Sequence, residues 1–252
     1  MRFNLAPLST IFFILMSAIL PAETVSEKNK KAYEYLDNLA IQAGTDKNSY
    51  FHNYTKVYSK YFDSMHTDKI RFMEIGIYHG NSVKLWESYF TNAELHFVDI
   101  NGLQIQYHSP RAQYHFVDQA NIADMQALAK NIGGNFDIII DDGGHTMVQQ
   151  INSFKALFPS IKSGGVYVIE DLHTSYWAAW GGGGQIGAPA KKMGTCVEFL
   201  KNLIDDLNYT AGITTVADIA KISPELRATL NIYQSDIDSI HFYQSLCFIF
   251  KK

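Results

Sequence analysis

Apolar residues recur along this chain in two rhythms. Over residues 27–43, Ala32, Leu36, Leu39, Ala40 and Ala43 fall at near-helical spacing, and Gly44 is placed to end that helix. An aromatic-rich stretch containing Tyr50, Phe51 and Tyr54 leads into a second predicted helix near 56–62. From Lys69 the pattern alternates between short β-branched runs and helical periodicity. Strands are predicted at 71–77, 94–100, 113–117, 136–141 and 165–169, with helices at 82–90, 122–132 and 147–158. Ser163-Gly164-Gly165 reads as the turn before the fifth strand, 180–187 as a glycine-rich loop and 195–207 as a helix. Strands at 239–243 and 246–250, separated by Gln244-Ser245, read as an antiparallel hairpin. Strands alternating with helices imply a parallel sheet with right-handed crossovers. The fold class is therefore α/β, a doubly wound, mostly parallel seven-stranded sheet with an antiparallel C-terminal hairpin.

Two of the buried-type runs end in acids. Phe136-Asp137-Ile138-Ile139-Ile140 leads to Asp141-Asp142-Gly143-Gly144-His145, and Gly165-Val166-Tyr167-Val168-Ile169 leads to Glu170-Asp171. Ligands of open parallel sheets bind outside the carboxyl ends of the strands. Carboxylates converging there repel one another unless a cation joins them, so the pattern points to a metal-assisted reaction. Taken singly, each cluster also fits a solvated turn, and His145 fits a helix cap; taken together they form a constellation.

Composition narrows the field. The chain has 252 residues, 47% hydrophobic and 18% charged, which suits a folded domain rather than a disordered one. A net charge of −4 with no long basic stretch argues against duplex nucleic acid as a partner. Cys196 and Cys247 stand outside any CxxC; buried thiols are favoured over a disulfide between them. At the N-terminus, Arg2 precedes an apolar stretch centred on Ile11-Phe12-Phe13-Ile14-Leu15-Met16, shorter than a spanning helix needs. Residues 1–22 are read as a signal peptide cut after Ala22, with an uncleaved anchor or a true start at Met16 as alternatives. A membrane is a partner only if that segment is an anchor.

The first strand supplies the next clue. It runs Phe72-Met73-Glu74-Ile75-Gly76-Ile77-Tyr78-His79-Gly80-Asn81-Ser82, and the second ends in Val98-Asp99-Ile100. Glycines after a first strand let backbone approach a ligand at a helix N-terminus, and an acid ending the second accepts hydrogen bonds from ribose hydroxyls. A nicotinamide cofactor and S-adenosylmethionine both suit this much. The GxxxG spacing in place of GxGxxG, and the negative Glu74, favour S-adenosylmethionine, whose aminium and sulfonium are positive.

Glu74-x-Gly76, Asp99, Asp118-Gln119, Asp141-Asp142-Gly143-Gly144-His145 and Glu170-Asp171-Leu172-His173-Thr174-Ser175-Tyr176-Trp177 together resemble class I methyltransferases of the metal-dependent sugar O-methyltransferase type, which act on macrolide and anthracycline-type glycosides. Gly44-Thr45-Asp46-Lys47 also resembles that family, and the likeness covers residues 44–177 well and the remainder loosely. It implies a Rossmann-like methyltransferase fold, magnesium bound by Asp142, Glu170 and Asp171, and His145 as general base. It further implies cofactor contacts from Glu74, Gly76, Ser82 and Asp99, with Asp118, Gln119 and Asp141 near the adenosine. The chain departs from the commoner Asp-Gly-Ser-His form at Gly144, which removes a hydroxyl beside His145. On this reading 27–68 is an N-terminal helical or lid segment and 69–252 the methyltransferase domain.

The chemistry is coherent. A hard divalent cation with oxygen ligands holds a sugar hydroxyl and lowers its pKa, and an imidazole, titrating near neutrality, takes the proton. Vicinal hydroxyls suit such a metal as a chelate, so the expected partner is a small sugar or glycoside. Tyr176, Trp177, Trp180 and the run from Gly181 to Gly184 are read as a lid, with Tyr50 and Tyr54 opposite; His52, His79 and His173 are weaker candidates. The competing readings are an NAD-dependent oxidoreductase and a non-catalytic exported carbohydrate-binding protein. The export-like leader and the cytosolic methyl donor pull localisation in opposite directions.

Overall fold

The computed structural model describes residues 24–252, so the segment 1–22 lies outside the described residues. The first helix, α1 (Val25–Ala43), is opened by a Thr24–Glu27 capping box and closed by Gly44 at φ 75°. It packs on α2 (Thr55–Phe62) and on α3 (Asn81–Tyr89). The sheet comprises β1 (Arg71–Ile75), β2 (Glu94–Asp99), β3 (Ala112–Phe116), β4 (Phe136–Asp141), β5 (Ile161–Ile169), β6 (Ile237–Tyr243) and β7 (Leu246–Lys251). Its order is β3-β2-β1-β4-β5-β7-β6, with β7 antiparallel to both β5 and β6. The expected mostly parallel sheet and C-terminal hairpin are both present.

Alternation along the strands divides the core into two layers. Phe72, Ile138, Ile140, Val166, Val168 and Phe248 face α1, α2 and α3, where they meet Leu36, Tyr58, Phe62 and Trp86. Met73, Ile75, Ile139, Tyr167, Ile169 and Ile249 face the other side. There they meet α4 (Ile122–Asn131), α5 (Met147–Leu157) and α6 (Cys196–Thr214) through Met125, Phe154, Leu157, Leu200 and Leu203. Both cysteines are buried and free in this second layer.

Four elements differ from expectation. β5 begins at Ile161, running through the Ser163-Gly164-Gly165 stretch read as a turn. The register against β4 shifts between Phe136 and Ile138 to absorb it. α6 continues to Thr214, beyond the apolar stripe that predicted it. The short helices α7 (Pro224–Thr229) and α8 (Ile232–Asp236) carry no periodic signal; their N-caps Ser223 and Asn231 start them. Among the described residues no helix is long and apolar enough to cross a membrane.

Register sets the site. Asp141 pairs with Ile75 on one side and Ile169 on the other, so the acids that follow β4 and β5 emerge at one level. The Asp142 amide donates to Ile75 O at 2.9 Å and the Glu170 amide to Asp141 O at 3.0 Å, extending the ladder to the acids themselves.

Candidate active site

A cavity of about 720 Å³ lies over the carboxyl ends of β1, β2 and β4, where the strand order reverses between β1 and β4. Gly76, Ser82, Asp99, Asp118 and Gln119 line it at one end, and Asp142, His145 and Asp171 at the other. Glu74, Asp141 and Glu170 are buried beneath this surface and do not line it.

At the first end, Gly76 has φ 97°, and a Cβ there would stand 2.0 Å from Asp142 O. The turns leaving β1 and β4 therefore touch through backbone, which only glycine permits. Asp99 Oδ2 accepts hydrogen bonds from the amides of Ile77 (2.8 Å) and Tyr78 (3.2 Å), and Oδ1 from Ile100 (2.7 Å). It fixes the glycine loop as well as facing the cavity. Ser82 Oγ and Trp86 Nε1 donate to the two oxygens of Glu74 at 2.6 and 2.9 Å. Burial lifts the Glu74 carboxyl to about 7, against the pull of Lys47.

Asp141 anchors the floor. Its carboxylate accepts from Ser153 Oγ, Gln119 Nε2 (3.0 Å) and Tyr167 Oη (3.3 Å), and burial lifts it to about 6. Gln119 in turn accepts from the Gly144 amide at 2.7 Å, so Asp141 holds the Gly143-Gly144 turn through Gln119. A Cβ on Gly144 would lie 2.2 Å from Nε2 of Gln149, whose Oε1 accepts from the Thr146 amide and hydroxyl to cap α5. The space of the missing serine is filled by the Gln149 amide.

At the acidic end, His145 Nε2 lies 3.4 Å from Asp171 Oδ2 and 3.9 Å from Asp142 Oδ1. His145 and Asp171 both hold φ 56°, a conformation few side chains adopt. His145 Nδ1 is buried without a hydrogen-bond partner. Strained backbone and an orphaned polar atom together mark a site built for something besides folding. Burial works against the Asp171 carboxylate, but the His145 imidazole and the Tyr54 hydroxyl hold it below its usual range.

The larger addition comes from before the sheet. Lys47, fully buried, places its ammonium against Asp142 Oδ2, 2.9 Å from Glu170 Oε2 and 3.7 Å from Glu74 Oε1. Tyr58 donates to the other Glu170 oxygen and Tyr54 to Asp171 Oδ1 at 2.6 Å. Burial drives Glu170 well above the carboxylate range, and Asp142 adds to the push. Burial alone would depress Lys47, yet its three carboxylate neighbours leave it well above its ordinary value. The sequence offered Lys47 only as part of a motif; the sole hint of its place was an excess of acids lacking a counter-charge.

The expected metal ligands thus face two ways. Donor atoms of Asp142, His145 and Asp171 lie within 4.8 Å of one another on the cavity side, and those of Glu74, Asp142 and Glu170 do so on the inner side, where Lys47 sits. The carboxylate oxygens of Asp142 and Asp171 suit a hard divalent cation, and the His145 imidazole stands beside them. Around them, the rings of His52 and Tyr54 stack at 5.0 Å, and His173 meets Trp177 at 4.4 Å, giving the outer site an aromatic wall.

Residues 73–172 match the family model described as a methyltransferase domain. The chain is 33% identical over 224 residues to 8-demethyl-8-alpha-L-rhamnosyl tetracenomycin-C 2'-O-methyltransferase of Streptomyces olivaceus, covering 86% of this chain and 54% of that one. It is 28% identical to mycinamicin VI 2''-O-methyltransferase of Micromonospora griseorubida, covering 86% and 52%. The solved structure of the mycinamycin-pathway methyltransferase MycE with Mg, SAH and mycinamycin VI superposes with a TM-score of 0.69 at 29% identity, over 86% of this chain and 54% of that one. The chain spans about half the length of the curated relatives it matches. In fold and in sequence, then, the chain belongs to the class I S-adenosylmethionine methyltransferases and is related to the sugar O-methyltransferases of macrolides and other glycosides.

Proposed function

We propose that this chain transfers a methyl group from S-adenosylmethionine to a hydroxyl of a sugar or glycoside, with a divalent cation, magnesium, at Asp142, Glu170 and Asp171 and His145 as the base. The observation that carries this reading is the single cavity that joins a nucleoside-type end at Asp99 to an acid–imidazole end at His145. The relatives named for methylating sugar hydroxyls support the acceptor class.

When bound, S-adenosylmethionine would supply an electrophilic methyl and magnesium would lower the pKa of the hydroxyl it holds. Gly76, Ser82 and Asp99, with Asp118 and Gln119, shape the donor end. Asp142, Glu170 and Asp171 would hold the cation against the acceptor hydroxyl, and much of the acceleration would come from that positioning. His145 takes the hydroxyl proton as the new C–O bond forms and the S–CH₃ bond breaks, leaving S-adenosylhomocysteine, the methyl ether and an imidazolium. The Asp171 and Asp142 carboxylates, 3.4 and 3.9 Å from Nε2, stabilise that imidazolium.

The test is incubation of the purified chain with methyl-labelled S-adenosylmethionine and a rhamnoside, with magnesium or with EDTA. Labelled ether formed only with magnesium is the expected result. Calorimetry showing no binding of S-adenosylmethionine would overturn the reading, and binding of NAD in its place would favour hydride transfer.

A further inference from the structure

Lys47 has no part in the methyl-transfer chemistry proposed above, yet it lies at the centre of the acids. Its ammonium sits where Glu74, Asp142 and Glu170 bring their oxygens within 4.8 Å of one another, a spacing that would otherwise take a metal ion. All three acids come from the sheet: Glu74 within β1, Asp142 after β4 and Glu170 after β5. Two of them, Glu74 and Glu170, are at most 1% exposed, so water offers them almost nothing. Neutral donors serve them too, Ser82 and Trp86 for Glu74 and Tyr58 for Glu170, but hydrogen bonds alone do not cancel three neighbouring charges.

We infer that Lys47 is a resident cation that assembles the acidic site in the absence of a divalent ion. It is a positioning residue: it reaches up from the helical side of the sheet, draws the inner oxygens of Asp142 and Glu170 onto one ammonium, and leaves Asp142 Oδ1 and Asp171 facing the cavity. Asp142 is the shared wall, with Oδ2 on Lys47 and Oδ1 toward His145.

This rests on the reading that Asp142, Glu170 and Asp171 hold a divalent cation, and thermal unfolding separates the two ideas. With EDTA, Lys47→Met leaves buried carboxylates without their counter-charge, and its midpoint falls by about 10 °C below the unsubstituted chain. Magnesium, able to enter the emptied nest, restores at least half of that loss, whereas it moves the unsubstituted chain far less. Lys47→Met/Glu74→Gln, which removes one charge of each sign, recovers part of the loss in EDTA. A Lys47→Met midpoint equal to the unsubstituted chain in EDTA overturns the inference, and so does a loss that neither magnesium nor the Glu74 change restores. Calorimetry of the unsubstituted chain with magnesium judges the other idea: no binding there defeats the functional reading, while recovery by Glu74→Gln would still uphold Lys47 as the site's cation.

Discussion

The Tyr54 hydroxyl donates a 2.6 Å hydrogen bond to Asp171 Oδ1, joining the residue before α2 to the turn that leaves β5. Asp171 keeps its other oxygen for His145 and the cavity. Tyr54→Phe should cost about 1–2 kcal/mol of stability, because a bond to a charged acceptor is lost with little change in shape. In a double-mutant cycle with Asp171→Asn, most of that cost should disappear. Full additivity of the two substitutions would show that the bond contributes nothing.

His145→Ala should bind S-adenosylmethionine as tightly as the unsubstituted chain and lose at least ~100-fold in kcat, the range expected for removing a positioned base. Calorimetry and single-turnover methylation measure the two separately. Unchanged turnover would remove His145 from the proton path.

Gly144→Ser should destabilise the protein by roughly 1–3 kcal/mol, since its Cβ meets the Gln149 amide at 2.2 Å. Shortening the obstacle with Gln149→Ala should recover part of that loss, although Gln149→Ala alone is unfavourable because it dissolves the α5 capping box. Chemical denaturation of the two single variants and the double variant gives the coupling. A Gly144→Ser variant as stable as the parent would mean the turn relaxes freely.

Protonation of two buried histidines should weaken the fold from the other end of the sheet. His96, 1% exposed, is held below its ordinary value by burial, against the opposing pull of Glu94 at 2.9 Å. His115, whose Nε2 lies 3.1 Å from His96 Nδ1, is lowered by burial as well. At these two imidazoles the unfolded chain therefore binds more protons than the folded one as pH falls through about 6.5, and their contribution to stability is lost in that window, opposed by the raised carboxyls of Glu74 and Asp141, which take up protons in the folded chain. Between pH 7 and 5 the His96→Asn midpoint should move less in the destabilising direction than that of the unsubstituted chain, the carboxyl contribution being common to both. An unchanged slope would rule His96 out as a source of the acid sensitivity.

What the sequence discloses depends on whether a residue's role is local. The run at β4 was legible to its end residues because four apolar or β-branched positions buried on both faces allow no other element, and its acids announce themselves by breaking that run. Asp142 and Glu170 were legible as neighbours because parallel strands place their ends level. The inward turn of Glu170 and Glu74 was not, because it depends on Tyr58, Lys47 and Trp86 arriving from the helical layer. Lys47 sits in a polar stretch with no periodicity, and its partners lie far along the chain. The helix α8 is short and polar, and it is held by Tyr233 stacking on Phe154, a contact no local pattern encodes.

The placement of Lys47, Tyr54 and Tyr58 ahead of β1 has a consequence for how this chain can be cut and recombined. Residues 73–172 contain every acid of the site but none of these three. A chimera joined at the start of the sheet would inherit the carboxylates and leave their neutralising partner behind. The interchangeable module of this chain therefore begins at α1, and the helical preface is as much a part of the catalytic inheritance as the sheet.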